Sequence, residues 1–176
     1  AKELLDAMGI SYMQAVSEGE AQGSYMAKEG TVDFCASQDY DSLLFGAPKM
    51  IRNLTLSGKR KIPGRNAFVE ITPEIVNLER TLDELKITRE KLIWLSLMIG
   101  TDYNKGVNGI GPKKGYKIVL ESENLEDVYM KSNASEGIEL WKSVEEYFLN
   151  PEVVKEVPKF NGKMNYDKVI EVMCTK

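Results

Sequence analysis

Gly100, Gly106, Gly109, Gly111 and Pro112 crowd into one short stretch, and an apolar-periodic segment flanks it on either side. Neither helix nor strand runs through so many glycines, so the stretch must be a loop between two separate helices. Upstream, Thr88 is a natural N-cap for a segment densely apolar from Leu92 to Ile99, which Gly100 ends. Downstream, Lys113 to Leu120 resumes the helical period. The pattern predicts a helix–turn–helix over about residues 89–121, with Gly109-Ile110-Gly111-Pro112-Lys113-Lys114 at its turn. Glycines let a phosphate approach the backbone, and the next helix offers unpaired amides to an anion. Such a turn holds one strand's phosphates without reading bases. Tyr103 to Leu120 carries Lys105, Lys113, Lys114 and Lys117 and no acid, which adds salt-sensitive attraction to a polyanion. The bland alternative is an ordinary helix–helix turn with a solvated lysine face.

The front of the chain reads differently. Leu4, Leu5 and Met8 share a helical face, and Gly9 supplies a left-handed stop. Ile10 to Val16 reads as a short strand. Ser17 opens a second helix with Ala21, Tyr25 and Met26 inward and Gly30 past its end, and Val32 to Ala36 reads as another strand. Helix–strand–helix–strand order predicts an α/β unit with a parallel sheet. Met50–Leu54 and Asn66–Ile71 read as strands flanking Ser57 to Gly64, a hairpin with a basic tip or an extended arm. Beyond it, Thr72 is a candidate N-cap with Pro73 at the first helical position and an apolar stripe of Ile75, Val76, Leu78, Leu82 and Leu85. Further helices are expected over Leu125–Lys131, Glu136–Leu149 and Tyr166–Cys174, with Asn150-Pro151 and Val157-Pro158 as breaks. The expected organisation is a single body over residues 1–176, α/β with a basic hairpin over 1–71 and helical over 72–176.

Composition narrows the function. The 176 residues carry a formal charge of −4, with 43% apolar and 28% charged residues, which excludes a disordered tail, a collagen-like rod and a membrane span. The chain has no histidine, so imidazole bases, His-based triads and His-ligated zinc sites cannot be built from it. Its two cysteines, Cys35 and Cys174, are too few for a disulfide framework and suit a reducing, intracellular, cytosolic setting. Cys35 is expected in a buried strand, and Met50, Met98 and Met130 as core filler. The start at Ala1-Lys2-Glu3-Leu4, without Met or signal pattern, suggests a piece of something longer.

Catalysis without histidine points to the carboxylates. Glu18 and Glu20, Asp39 and Asp41, and Asp102 all stand at element ends. In parallel α/β folds the ligand crevice lies at the carboxyl ends of strands. Clustered carboxylates raise one another's pKa unless a cation neutralises them, and hard oxygen donors suit Mg²⁺ or Mn²⁺. Each acid has a bland reading too. Ser17 and Glu20 fit a capping box, Asp39 and Asp41 a turn and cap, and Asp102 a tight-loop turn. The second basic cluster, Lys49, Arg52, Lys59, Arg60, Lys61 and Arg65, fits either a phosphate-facing arm or protection of an exposed strand edge.

Three stretches in order carry a family resemblance. Ser17-Glu18-Gly19-Glu20-Ala21-Gln22, Ala36 to Gly46 (A-S-Q-D-Y-D-S-L-L-F-G), and Gly100-Thr101-Asp102-Tyr103-Asn104 followed by Gly109-Ile110-Gly111-Pro112-Lys113-Lys114 resemble the flap endonuclease family. Asn53 to Lys61 is similar to its archaeal members. The resemblance implies a PIN-like 5′-nuclease core with a parallel sheet, and a helical second half holding a helix–two-turn–helix DNA-binding motif. It implies a structure-specific 5′ flap endonuclease and 5′–3′ exonuclease of DNA replication and repair, hydrolysing branched DNA through two Mg²⁺ ions, with Mn²⁺ able to substitute. Glu18, Glu20, Asp39 and Asp41 fall on the family's metal acids and Asp102 on a further site acid. Gly109, Gly111, Lys113, Lys114 and Lys117 would contact duplex DNA, with Lys59, Arg60 and Lys61 on the hairpin. Carbonyls of Gly106, Val107 and Ile110 would hold a K⁺ ion, although Gly106 lacks the hydroxyl some relatives place there. The family's nuclease domain begins upstream of this chain with further site aspartates, and its sliding-clamp peptide is not seen here. An archaeal, nucleoid-associated cytoplasmic enzyme with no membrane partner is the implied setting. The alternatives are a non-catalytic duplex-DNA-binding module, with the acids as caps, and a related ribonuclease.

Overall fold

A computed structural model describes residues 1–55, 58–64, 66–156 and 162–174. The chain opens with helix α1 (Lys2–Met8), which Gly9 ends in the left-handed region at φ 69°. Helix α2 (Gly19–Lys28), strand β1 (Cys35–Ala36), the one-turn helix α3 (Asp41–Leu44) and strand β2 (Lys49–Arg52) follow. Strands β3 (Lys59–Lys61), β4 (Phe68–Glu70) and β5 (Glu74–Asn77) lead into helices α4 (Leu78–Leu85), α5 (Arg89–Ile99), α6 (Pro112–Leu120), α7 (Leu125–Ser132), α8 (Ile138–Leu149) and α9 (Tyr166–Cys174).

The small sheet is mixed, in the order β1-β2-β5. Strand β1 runs parallel to β2 with Cys35 opposite Met50, while β5 pairs antiparallel to β2 with Val76 opposite Met50. The expected parallel sheet therefore holds for one pair. The α3 crossover returns the chain in the same direction, and the arm beyond β2 brings it back reversed. Met50 is fully buried and packs with Leu43 and Leu78 in a small core of its own.

The main core lies among the helices. Helix α5 runs through its centre, with Ile93, Leu97 and Met98 fully buried against Trp141 and Phe148 of α8 and Val119 of α6. A helix apolar nearly all round is one that its neighbours enclose. Thr88 caps α5 by accepting a hydrogen bond from the Lys91 N–H. At the far end of the chain, α9 lies beside α1, and the backbones of Gly9 and Gly162 come so close that a Cβ on Gly162 would sit 2.0 Å from the Gly9 carbonyl oxygen. Among the described residues, no helix is long and apolar enough to cross a membrane.

Several local expectations fail, and around β2, β4 and β5 the reason is that pairing outweighs local signals. Ile10 to Val16 forms no strand, and Ile10 and Val16 stay exposed. Only Cys35 and Ala36 of the Val32–Ala36 run pair. The hairpin joins β3 to β4, with Lys59 opposite Glu70, so Met50–Leu54 is no part of it and the expected basic tip is itself a strand. Leu56, Ser57, Arg65, Val157 and Pro158 lie outside the described residues. Thr72 and Pro73 do not start a helix. β-Branched Ile75 and Val76 are drawn into β5 against β2, and Asn77 caps α4 by accepting from the Arg80 N–H at 2.9 Å. Met130 is 66% exposed and fills no core.

Candidate metal and nucleic-acid site

Three connections deliver the five acids. Glu18 is the extended residue before α2, with φ −89° and ψ 146°, and Glu20 lies in that helix's first turn. Glu18 accepts a hydrogen bond from the Tyr103 hydroxyl rather than capping the helix. Ser17 is not the N-cap; its oxygen accepts from the Tyr147 hydroxyl at 3.2 Å. Glu20 accepts from the Ser37 hydroxyl at 3.0 Å, and Ser37 accepts from the Asp39 N–H at 3.1 Å. The capping-box reading therefore fails, because both glutamates are held from other parts of the chain.

Asp39 and Asp41 flank Tyr40 where the β1 connection enters α3. Arg52 braces this turn from below. Its guanidinium lies 4.3 Å from the Tyr40 ring centroid and its Nε donates to the Gln38 carbonyl at 3.1 Å. Arg52 also lies 3.9 Å from Glu74, so this member of the basic cluster is committed within the fold.

Asp102 is exposed in the turn after α5, and its neighbours build that turn. Thr101 and Asn104 bridge through backbone hydrogen bonds of 3.0 and 3.3 Å, and the Thr101 hydroxyl donates to Asn104 Oδ1 at 2.8 Å. Buried Asn104 donates to the Leu97 carbonyl at 2.7 Å, anchoring the turn to α5.

Asp41 reports the convergence. Its pKa is pushed up to about 6, first by burial and then by Asp102, Glu18, Asp39 and Glu20. All four charges that raise it are the other predicted acids. Asp39, Asp41 and Asp102 line an open cavity of about 1040 Å³ with Tyr40, Ile99 and Tyr103. Glu20 borders a separate groove beside Cys35. Among the described residues no three acids close into a group able to hold a metal as they stand. Carboxylates repel at short range, and the Tyr103 and Ser37 hydroxyls fix the direction of two of these. By donor chemistry the set still fits a hard divalent cation, because all five donors are carboxylates and their mutual repulsion is what a cation relieves.

The glycine-rich loop folds as the sequence predicts. Gly100, Gly106 and Gly109 take positive φ, and a Cβ on Gly106 would meet the Ile99 carbonyl oxygen at 2.5 Å. The Val107 N–H donates to the Met98 carbonyl at 2.8 Å, and the Ile110 N–H to the Val107 carbonyl at 3.1 Å. Pro112 starts α6, and Lys113, Lys114 and Lys117 are exposed on it, beside exposed Gly109 and Gly111. Lys59 and Lys61 are exposed on β3; Arg60 lies on the same strand, its side chain outside the described residues.

Residues 9–102 match the family described as the XPG I-region, a stretch that holds all five acids and ends on Asp102. The chain belongs to the XPG I-region family. It is 55% identical over 175 residues to Flap endonuclease 1 of Pyrococcus furiosus, covering 99% of this chain and 50% of that protein. Flap endonuclease-1 from Methanococcus jannaschii superposes with a TM-score of 0.76 at 36% identity, over 99% of this chain and 50% of the other. The catalytic core of Rad2 in complex with DNA substrate shares the fold, with a TM-score of 0.73 at 24% identity over 99% of this chain and 62% of that one. The chain thus spans about half the length of the curated relatives it matches.

Sequence reasoning about this XPG I-region chain missed Tyr103. Burial, then hydrogen bonds to Glu18 and Tyr147, raise its phenol above the usual value. Its ring packs edge-on against Tyr147 and Phe148, at centroid distances of 4.9 and 5.8 Å. The available signal was position: an aromatic directly after a candidate site acid, with small or polar residues on either side from Gly100 to Gly106.

Proposed function

We propose that this chain is part of a structure-specific 5′ nuclease, a flap endonuclease with 5′–3′ exonuclease action on branched DNA in replication and repair. The observation that carries the reading is the convergence on half-buried Asp41 of Asp39 from its own connection and of Glu18, Glu20 and Asp102 from two others. Glu18, Glu20, Asp39, Asp41 and Asp102 would hold two Mg²⁺ ions, or Mn²⁺ in their place. Bound there, the cations supply the Lewis acidity for phosphodiester hydrolysis. Further ligands would come from the part of the relatives' length that this chain does not match.

The chain's own groups do the holding. Tyr103 and Ser37 fix the two glutamates, and the Thr101–Asn104 bridge fixes the turn that carries Asp102. Exposed Lys113, Lys114 and Lys117, with Gly109 and Gly111, would grip duplex phosphates, and Lys59, Arg60 and Lys61 would form a second contact. Carbonyls of Gly106, Val107 and Ile110 would hold a K⁺ ion at that turn. A single body over residues 1–176, an archaeal cytoplasmic setting at the nucleoid, and a sliding clamp as partner of the full-length protein complete the proposal.

The deciding experiment assays a 5′-flapped duplex with Mg²⁺, with this chain carried in a protein of the relatives' full length. Cleavage is expected and should vanish with Asp39→Ala plus Asp41→Ala; unchanged cleavage would refute the metal assignment. The open spacing of the acids favours one second reading, a non-catalytic duplex-DNA module. It predicts binding that falls with salt and no response to Mn²⁺ beyond ionic strength.

A further inference from the structure

Glu18 has three rotatable side-chain bonds and sits where the chain enters α2 from an irregular segment. Nothing in its own segment orients it. Orientation comes from Tyr103, 85 residues further on, whose hydroxyl donates to the Glu18 carboxylate. Tyr103 cannot swing away easily. Its ring is wedged against Tyr147 and Phe148, Tyr147 is tied by its own hydroxyl to Ser17, and the Tyr103 N–H donates to the Thr101 hydroxyl at 3.2 Å.

Resting on the cation-site reading above, we propose that Tyr103 is a positioning residue for Glu18 and couples it to the turn that carries Asp102. A carboxylate has about four lone-pair positions, so accepting one hydroxyl leaves the others for a cation. Two effects compete when that hydroxyl is removed. The freed carboxylate regains some charge density, which favours a cation. It also regains rotamers, which a cation must then freeze out, and it is no longer held toward the other acids. Orientation wins, because five carboxylates already supply charge in surplus while, among the described residues, no three of them close into a group able to hold a metal, so geometry is what is short. Groups that orient metal ligands typically contribute about 10- to 100-fold in metal affinity.

Tyr103→Phe is the clean variant, since it keeps the ring in the aromatic cluster and deletes only the donor. Mn²⁺ affinity of the 176-residue chain, read from the free-ion electron paramagnetic resonance signal, should fall about tenfold. The thermal midpoint of the metal-free chain should hold, and Tyr116→Phe, which deletes a hydroxyl that donates to the Leu85 carbonyl away from the acids, should bind Mn²⁺ like the native chain. In a Glu18→Gln background, Tyr103→Phe should leave the remaining affinity unchanged. Native affinity in Tyr103→Phe overturns this inference alone, as does an equal loss in Tyr116→Phe or a further drop in the Glu18→Gln background. Absence of Mn²⁺ binding by the native chain overturns it together with the reading beneath it.

Discussion

The helical core and the acidic cavity share α5 as a common wall, yet they follow opposite rules. On the core side, Ile93, Leu97 and Met98 meet Trp141, Val119 and Phe148 with scarcely any exposed surface. On the cavity side, beyond the last turn of the same helix, Asp102 shares the lining with Asp39 and Asp41, and Asp41 is raised to about 6 by burial and by the charges of Asp102, Glu18, Asp39 and Glu20. One side gains free energy on folding; the other loses it. The difference teaches where the stability of this chain comes from and what it supports. A rigid apolar block holds a set of charges that would otherwise move apart, and that stored repulsion is what a divalent cation can release.

The largest expected effect lies on the core side. Leu97→Ala removes a fully buried side chain and should destabilise the chain by about 3 kcal/mol, read from chemical denaturation. A loss below about 1 kcal/mol would mean that the core is not what holds the charges in place. Next comes the cation itself. Mn²⁺ at about a hundred times its dissociation constant should stabilise the native chain by about 2.7 kcal/mol, seen as a rise in thermal midpoint. The Asp39→Ala plus Asp41→Ala chain should show no such rise.

A smaller effect sharpens the contrast from the cavity side. Because the Asp41 pKa is higher folded than its ordinary value of 3.8, the folded state binds the proton more tightly. The resulting penalty is fully present above about pH 6 and fades as pH falls toward 3.8. Asp41→Asn should therefore stabilise the metal-free chain at pH 7.5. After discounting for solvent screening of a half-exposed group, the gain is about 1 kcal/mol. It should disappear near pH 4, where the native Asp41 is neutral. The smallest effect is at the exposed surface. Arg80→Ala breaks the exposed 2.8 Å pair with Glu84 on α4 and should change stability by no more than about 0.5 kcal/mol, setting the scale for charges outside the cavity.

The helices were legible where cap, period and stop agreed. Helix α5 begins after Thr88 and ends at Gly100, α6 starts at Pro112 between a glycine turn and a buried stripe, and α9 spans Tyr166–Cys174 as expected. The strands were not, because a strand's identity rests on its partner. Ile75 and Val76 carried a helical stripe and a convincing cap at Thr72, but pairing with Ile51 and Met50 decided their state. The same logic divides the site. Acids at element ends could be read from the sequence as candidates, whereas their convergence on Asp41 required the folded path of three connections. Tyr103 stood out only by its place beside Asp102, since its role depends on a hydroxyl reaching a glutamate 85 residues away.

Calorimetric titration of the native chain with Mn²⁺ at pH 7.5, beside the Asp39→Ala plus Asp41→Ala chain, tests the claim that these acids form one cation site. The account predicts saturable heat from the native chain and none above dilution from the variant. Equal heats and equal affinities in the two chains would contradict it.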